Sequence, residues 1–381
     1  MSTPHALGGL PGVARHLGTS APVQRLARLA ADRETTVDVT APSGARPFLH
    51  AAVHPASGVV LAVTATNREA DDLAAALADV LADSLGRYAV ASFPSWETLP
   101  HERLSPRSDT VGRRLAVLRR LAHPDTTEGV AHPEDTEGAG TPDNTGSTDP
   151  STAPLHIVVA PIRAVLQPIA TGLGDLVPVA LRAGQDRPLE QVVEDLVAAA
   201  YSRTDLVERR GEFAVRGGIL DVFPPTEEHP LRVEFWGDTV EEIRWFRVAD
   251  QRSLEVADGG LWAPPCRELL LTDAVRERAR DLIPQLPGVA DLLEKVAEGI
   301  AVEGMESLLP VLVDRMQTLL DVLPPGAMVI AHDPERIRLR AHDLVATSEE
   351  FLEASWSNAA AASAVTSGGA APVDLRAILG T

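Results

Sequence analysis

The sequence is short of the residues on which several kinds of protein depend. Of 381 residues one is cysteine, Cys266, which excludes a disulfide within the chain and any zinc site built from cysteine pairs. No run of about 18 apolar residues occurs, and the N-terminal stretch lacks the charged-then-apolar order of an export signal. A cytoplasmic location is expected. Aromatic residues make up only 4% of the chain, and Lys295 is the single lysine among 34 basic residues. Acidic residues number 54, for a net charge of −20. Neutralising phosphates needs basic surface, so this balance argues against a dedicated nucleic-acid binder. The deficit is uneven. Residues 1–121 carry 13 basic and 11 acidic side chains, residues 122–154 carry no basic and 7 acidic ones, and residues 173–265 carry 10 and 18.

Catalytic patterns are also wanting. Among the 11 histidines, His54, His101, His123, His132 and His332 stand alone in loop or strand-end contexts. None shows H-E-x-x-H or nucleophile-elbow spacing, so each reads as an ordinary surface histidine. No catalytic residue and no metal site is expected. Residues Thr40–Arg46 fall between a short strand predicted at Val37–Val39 and a helix, where a phosphate-binding loop G-x-x-x-x-G-K-[ST] would sit. Aligned on Gly44, the first glycine position holds Val39, the lysine position Ala45 and the hydroxyl position Arg46. The cation that holds phosphates and the hydroxyl that holds magnesium are both missing. The loop is expected to bind no nucleotide, whether it is a degenerate P-loop or simply a Gly/Pro loop.

What is present is an α/β pattern with an insertion. Gly58–Ala65 reads as a buried strand. Asn67 is placed as the cap of a helix with Ala70, Leu73, Ala74, Leu77, Val80 and Leu81 on one face. Tyr88–Phe93 is a further strand, and this strand–helix–strand spacing predicts a parallel sheet. Arg113-Arg114 and Arg119-Arg120 lie on a helix and read as a solvated face before a DNA contact. Residues 122–154 are Pro/Thr/Gly/Asp/Glu-rich and are expected to be disordered. Leu155–Ala160 resumes the sheet. A second, α+β domain is expected over 172–264. Its helix starts near Leu189, with Leu189, Val192, Val193, Leu196 and Val197 covering an antiparallel sheet. From 265 to 355 the chain returns to the α/β domain, where Thr272 caps a helix. Residues 356–381 are Ala/Ser/Gly-rich and expected to be flexible.

The stretch from 201 to 252 predicts three or four antiparallel strands: Val207–Val215, Ile219–Phe223, Leu231–Trp236 and Val240–Val248. Gly217-Gly218 forms a bend and Gly237-Asp238 a tight turn. Alternation sends Val233 and Phe235 to the core and Arg232, Glu234 and Trp236 to the other face. Phe213 and Val215 likewise oppose Glu212, Ala214 and Arg216. An outward tryptophan beside arginines has the composition of a binding hot spot. A solvated face with cross-strand Arg–Glu pairs accounts for the same pattern.

The runs GEFAVRGGILDVFPP and LRVEFWGDTVEEIRWF resemble one segment of the UvrB family and of the transcription-repair coupling factors. Phe93–Leu121 and Gly304–Leu344 resemble the coupling factors in the same order. The likeness implies a degenerate helicase-like parallel-sheet domain in two segments (residues 1–171 and 265–355), with an inserted domain that docks UvrA. The matching docking positions are Arg216, Arg232 and Trp236, with Arg203, Glu234 and Phe235 as neighbours or core support. It also implies that the Phe93–Asp109 connection is too short for UvrB's DNA-gripping hairpin. ATP and magnesium, double-stranded DNA and RNA polymerase would belong to a C-terminal motor outside this chain, and that C-terminal part would mask the UvrA surface. The alternative is a helicase-like or damaged-DNA-binding domain related to UvrB.

Overall fold

The structure is a computed structural model. It describes residues 9–32, 36–53, 58–98, 104–124 and 154–365, and for 351–365 the backbone alone. His54, His101, His132 and nearly all of the acidic insertion lie outside the described residues. The described residues form two compact units, one within 1–95, 117–167 and 318–341, the other within 96–116, 168–317 and 342–381.

The first unit is built on four parallel strands in the order Met328–Ala331, Val60–Thr64, Ile157–Pro161, Val90–Ser92. The two central strands are buried along their whole length. Such strands read as unbroken apolar runs, because a parallel sheet is covered on both faces. Helix Asn67–Leu85 buries Ala70, Leu73, Ala74, Leu77, Val80 and Leu81, the stripe expected from its spacing. Most of that stripe packs on Val60, Ala62, Ile157 and Val159. The cap is Thr66, whose hydroxyl accepts from the Glu69 amide at 3.3 Å. Asn67 instead donates its side-chain amide to Ser95 Oγ at 3.1 Å. The strand predicted at Val37–Val39 does not form. Val39 is exposed, and three residues with an aspartate between two valines bury too little to hold a place in this sheet. The chain there runs without regular structure into a single 3₁₀ turn, Ser43–Ala45, and the helix Arg46–Val53.

The second unit holds a six-stranded sheet in the order Ser253–Val256, Thr239–Phe246, Leu231–Trp236, Ile219–Val222, Glu212–Arg216, Ser202–Arg203. Neighbours are antiparallel except at the end, where Ser202–Arg203 runs parallel to Glu212–Arg216. The expected extended run from Val207 starts only at Glu212, since the preceding residues form turns and bends. Helix Leu189–Ala198 covers the inner face with Val192 and Leu196, and Leu189 and Val193 pack at its margin. Val197, assigned to the same stripe, is exposed instead, because it falls past the edge of the buried arc. Strands Val179–Leu181 and Leu261–Ala263 pair beside this core. A second cluster of Val207, Ala214, Phe223 and Phe246 closes part of the outer face.

Arg114, expected on a solvated face, is fully buried in this unit. Its Nε donates to Glu268 Oε1 at 2.5 Å, and Trp96 Nε1 donates to the same oxygen at 2.9 Å. A guanidinium in the interior requires such a counterion. Thr272 caps helix Asp273–Leu282 as expected, its hydroxyl accepting from the Val275 amide. Helix Pro334–Val365 continues through residues 356–365, where the sequence reading placed a flexible tail. Among the described residues no helix is long and apolar enough to cross a membrane.

Candidate functional site

The outer face of the six-stranded sheet brings the sequence-derived site residues together. In the Leu231–Trp236 strand burial alternates as expected. Leu231, Val233 and Phe235 are buried, and Arg232 and Glu234 are half-covered. Phe235 therefore belongs to the core that supports the surface. Trp236 is 81% exposed. It ends its strand at the Gly237-Asp238 turn, beside the Gly217-Gly218 turn of the neighbouring hairpin. That approach is close: a Cβ on Gly218 would lie 2.8 Å from the Phe235 carbonyl oxygen.

One row inward lies a residue the sequence reading passed over. Asp221 sits directly opposite Arg232 in the antiparallel register, and its side chain is only 1% exposed. It accepts from Arg232 Nε at 2.7 Å and Nη2 at 2.9 Å, and from Arg216 Nη2 at 2.6 Å. The two arginines are held differently. Arg232 is 15% exposed, stacks its guanidinium 4.8 Å from the Phe246 ring centroid and donates Nη1 to the Gln251 carbonyl. The Asp221 hydrogen bonds hold it more firmly protonated than a free arginine. Arg216 is 49% exposed and touches Asp221 through one nitrogen. Among the described residues its remaining donors meet no acceptor. The cross-strand ion pairs around Asp221 are thus Arg–Asp, not the cross-strand Arg–Glu pairs expected of a plain solvated surface. Glu234 faces Glu242 across the strands, and Glu242 is taken by Arg244 of its own strand at 2.5 Å. Arg203, at the sheet edge, joins Arg216, Thr204, Asp205 and Val215 around an open concavity of about 530 Å³.

The UvrB interaction domain family matches residues 179–261. That span runs from the first residue of the Val179–Leu181 strand to the first of its partner Leu261–Ala263, so it encloses the sheet and every residue of the site. Along 96% of its length the chain is 48% identical to the transcription-repair-coupling factor of Mycobacterium tuberculosis. It is 33% identical over 306 residues to that of Myxococcus xanthus and 24% identical over 247 residues to that of Escherichia coli. This chain belongs to the transcription-repair-coupling factor family. It spans 28% of the length of the mycobacterial relative, 23% of the Myxococcus one and 19% of the Escherichia one.

Elsewhere in this coupling-factor chain the loop residues aligned on Gly44 stand apart from any strand among the described residues. Gly44 and Ala45 lie in the 3₁₀ turn and Arg46 opens the following helix. That helix contributes His50, which meets His332 at the end of the Met328–Ala331 strand. The rings stack at 4.8 Å between centroids and 5° between planes, with Nε2 to Nε2 at 2.6 Å. One ring must donate and the other accept, so the accepting ring is neutral. Burial is the main cause that pushes His50 down to about 3 and His332 down to about 4. His332 is therefore a core residue and not the surface histidine its context suggested. Among the described residues no three His, Cys, Asp or Glu side chains group as metal ligands.

Proposed function

We propose that this region of the coupling factor docks UvrA through the outer face of its six-stranded sheet, and so draws excision repair to stalled transcription. The observation that carries the reading is Trp236, a large apolar side chain left in solvent on the sheet face that also carries Arg232 and Glu234. Trp and Arg anchors surrounded by polar groups are what binding hot spots are made of. The match of the UvrB interaction domain to the same residues supports it. Within this reading residues 172–264 carry the docking face, and the unit built on the four parallel strands is a helicase-like domain that binds no nucleotide. ATP, magnesium, double-stranded DNA and RNA polymerase are engaged by parts of the family protein outside this chain. The test is calorimetric titration of the chain against purified UvrA, with Trp236→Ala in parallel. A loss of tenfold or more, about 1.4 kcal/mol, is expected for the variant. Binding unaltered by the substitution would move the contact off this face.

A further inference from the structure

We propose that Asp221 is the positioning residue of the docking surface. It fixes Arg232 as an internal strut and turns Arg216 outward as the arginine that a partner carboxylate takes. The inference rests on the docking reading above and assigns the two arginines different parts.

The geometry separates them. Arg232 spends Nε and Nη2 on Asp221 and Nη1 on the Gln251 carbonyl, and its plane lies on Phe246. At 15% exposure its fork is already filled from within. Arg216 gives Asp221 one nitrogen at 2.6 Å and leaves the rest of its fork at the concavity shared with Arg203. Arginine pairs with carboxylates bidentately through two parallel N–H bonds, and of the two only Arg216 has such an edge to offer. Asp221 cannot fill both guanidiniums, and with Arg232 taking two of its three hydrogen bonds Arg216 keeps N–H donors for an incoming carboxylate. Tethering by Asp221 also restricts the rotamers of a long side chain before the partner arrives, which lowers the ordering cost of binding.

The test is a double-mutant cycle read by calorimetry with purified UvrA, using the full chain. The four proteins are the parent, Arg216→Ala, Asp221→Asn and the pair together, with folding checked by circular dichroism. Arg216→Ala is expected to weaken binding tenfold or more in the parent. Asp221→Asn is expected to weaken it comparably, and in that background Arg216→Ala should cost less than twofold. Because Asp221→Asn leaves Arg232 without its counterion, a second variant, Asp221→Asn with Arg232→Gln, removes both buried charges together. It should fold, lose the tenfold, and likewise become insensitive to Arg216→Ala. Additive effects, or parent-like binding by the doubly neutral variant, overturn the positioning role while docking stands. If neither Arg216→Ala nor Trp236→Ala alters binding, or the parent chain does not bind, the docking reading fails and this inference with it.

Discussion

Replacing Trp236 by alanine is expected to leave folding stability within about 0.5 kcal/mol, since the indole is mostly in solvent. Arg232→Ala should lower it by ~1–3 kcal/mol, because it withdraws two of the three hydrogen bonds to a buried carboxylate. Denaturant unfolding of the two variants separates them, and equal midpoints would contradict the strut. At His50 and His332 the expectation concerns pH. Both folded-state values, about 3 and about 4, lie below the ordinary 6.5. Between about 4 and 6.5 the unfolded chain therefore takes up protons that the folded chain does not. The contribution of the neutral pair is complete above pH 6.5 and is lost as pH falls toward 4, by up to ~1.4 kcal/mol per pH unit for each histidine. Urea unfolding at pH 7.5 and 5.0 should show a steeper loss in the parent than in His50→Phe. Equal slopes would place the acid sensitivity elsewhere. Neither Asp221 nor the histidine pair was legible in sequence. A lone aspartate in an apolar strand carries no pattern of its own. Only the register that sets it opposite Arg232, or the 282 residues that separate the two histidines, gives these side chains their meaning.

The helix Ser108–Ala122 supplies a test in which two local rules disagree. Gly112 lies inside it, and by helix propensity alone Gly112→Ala should stabilise by roughly 1 kcal/mol. The structure says otherwise: the added Cβ would stand 2.5 Å from Pro225 Cβ. Overpacking of that kind costs ~1–3 kcal/mol, so the variant should melt lower than the parent. A higher melting temperature would mean that helix and turn are not in contact. Elements with sustained periodicity were legible in the sequence. The Leu231–Trp236 strand matches its expected bounds, as does the buried stripe of helix Asn67–Leu85. Two-residue strands were not, because Ser202–Arg203 is too short to show alternation and is defined only by its pairing with Glu212 and Phe213. Val37–Val39 failed in the opposite sense: it has the composition of a strand and no neighbour to pair with.

Over the whole molecule the proposed docking surface depends on more of the chain than its own ninety-odd residues. Cys266 belongs to the core under the sheet and donates its amide to the Ala199 carbonyl at 2.9 Å. Ser108 Oγ donates to the Arg210 carbonyl at 3.1 Å. Residues 172–264 alone lack both, and Gly112 against Pro225 as well. Amides of the Leu231–Trp236 strand are expected to exchange hydrogen faster in that excised piece than in the full chain. Equal protection would show the piece to be self-sufficient. The strands of its sheet were legible because turn glycines and strand alternation are local signals. The buried Arg114–Glu268 pair was not, since 154 residues separate its members and an Arg-Arg run on a helix looks solvated until the second member arrives. The short margins of the six-stranded sheet have one more consequence. An open sheet is a hazard at high concentration, because it recruits copies of itself through unpaired edge amides. Here one margin is two residues long and carries Arg203, and the other is four residues long and carries Glu255. Neither provides enough free backbone to seed a cross-chain strand, so the sheet is protected against fibre growth while its tryptophan stays in water.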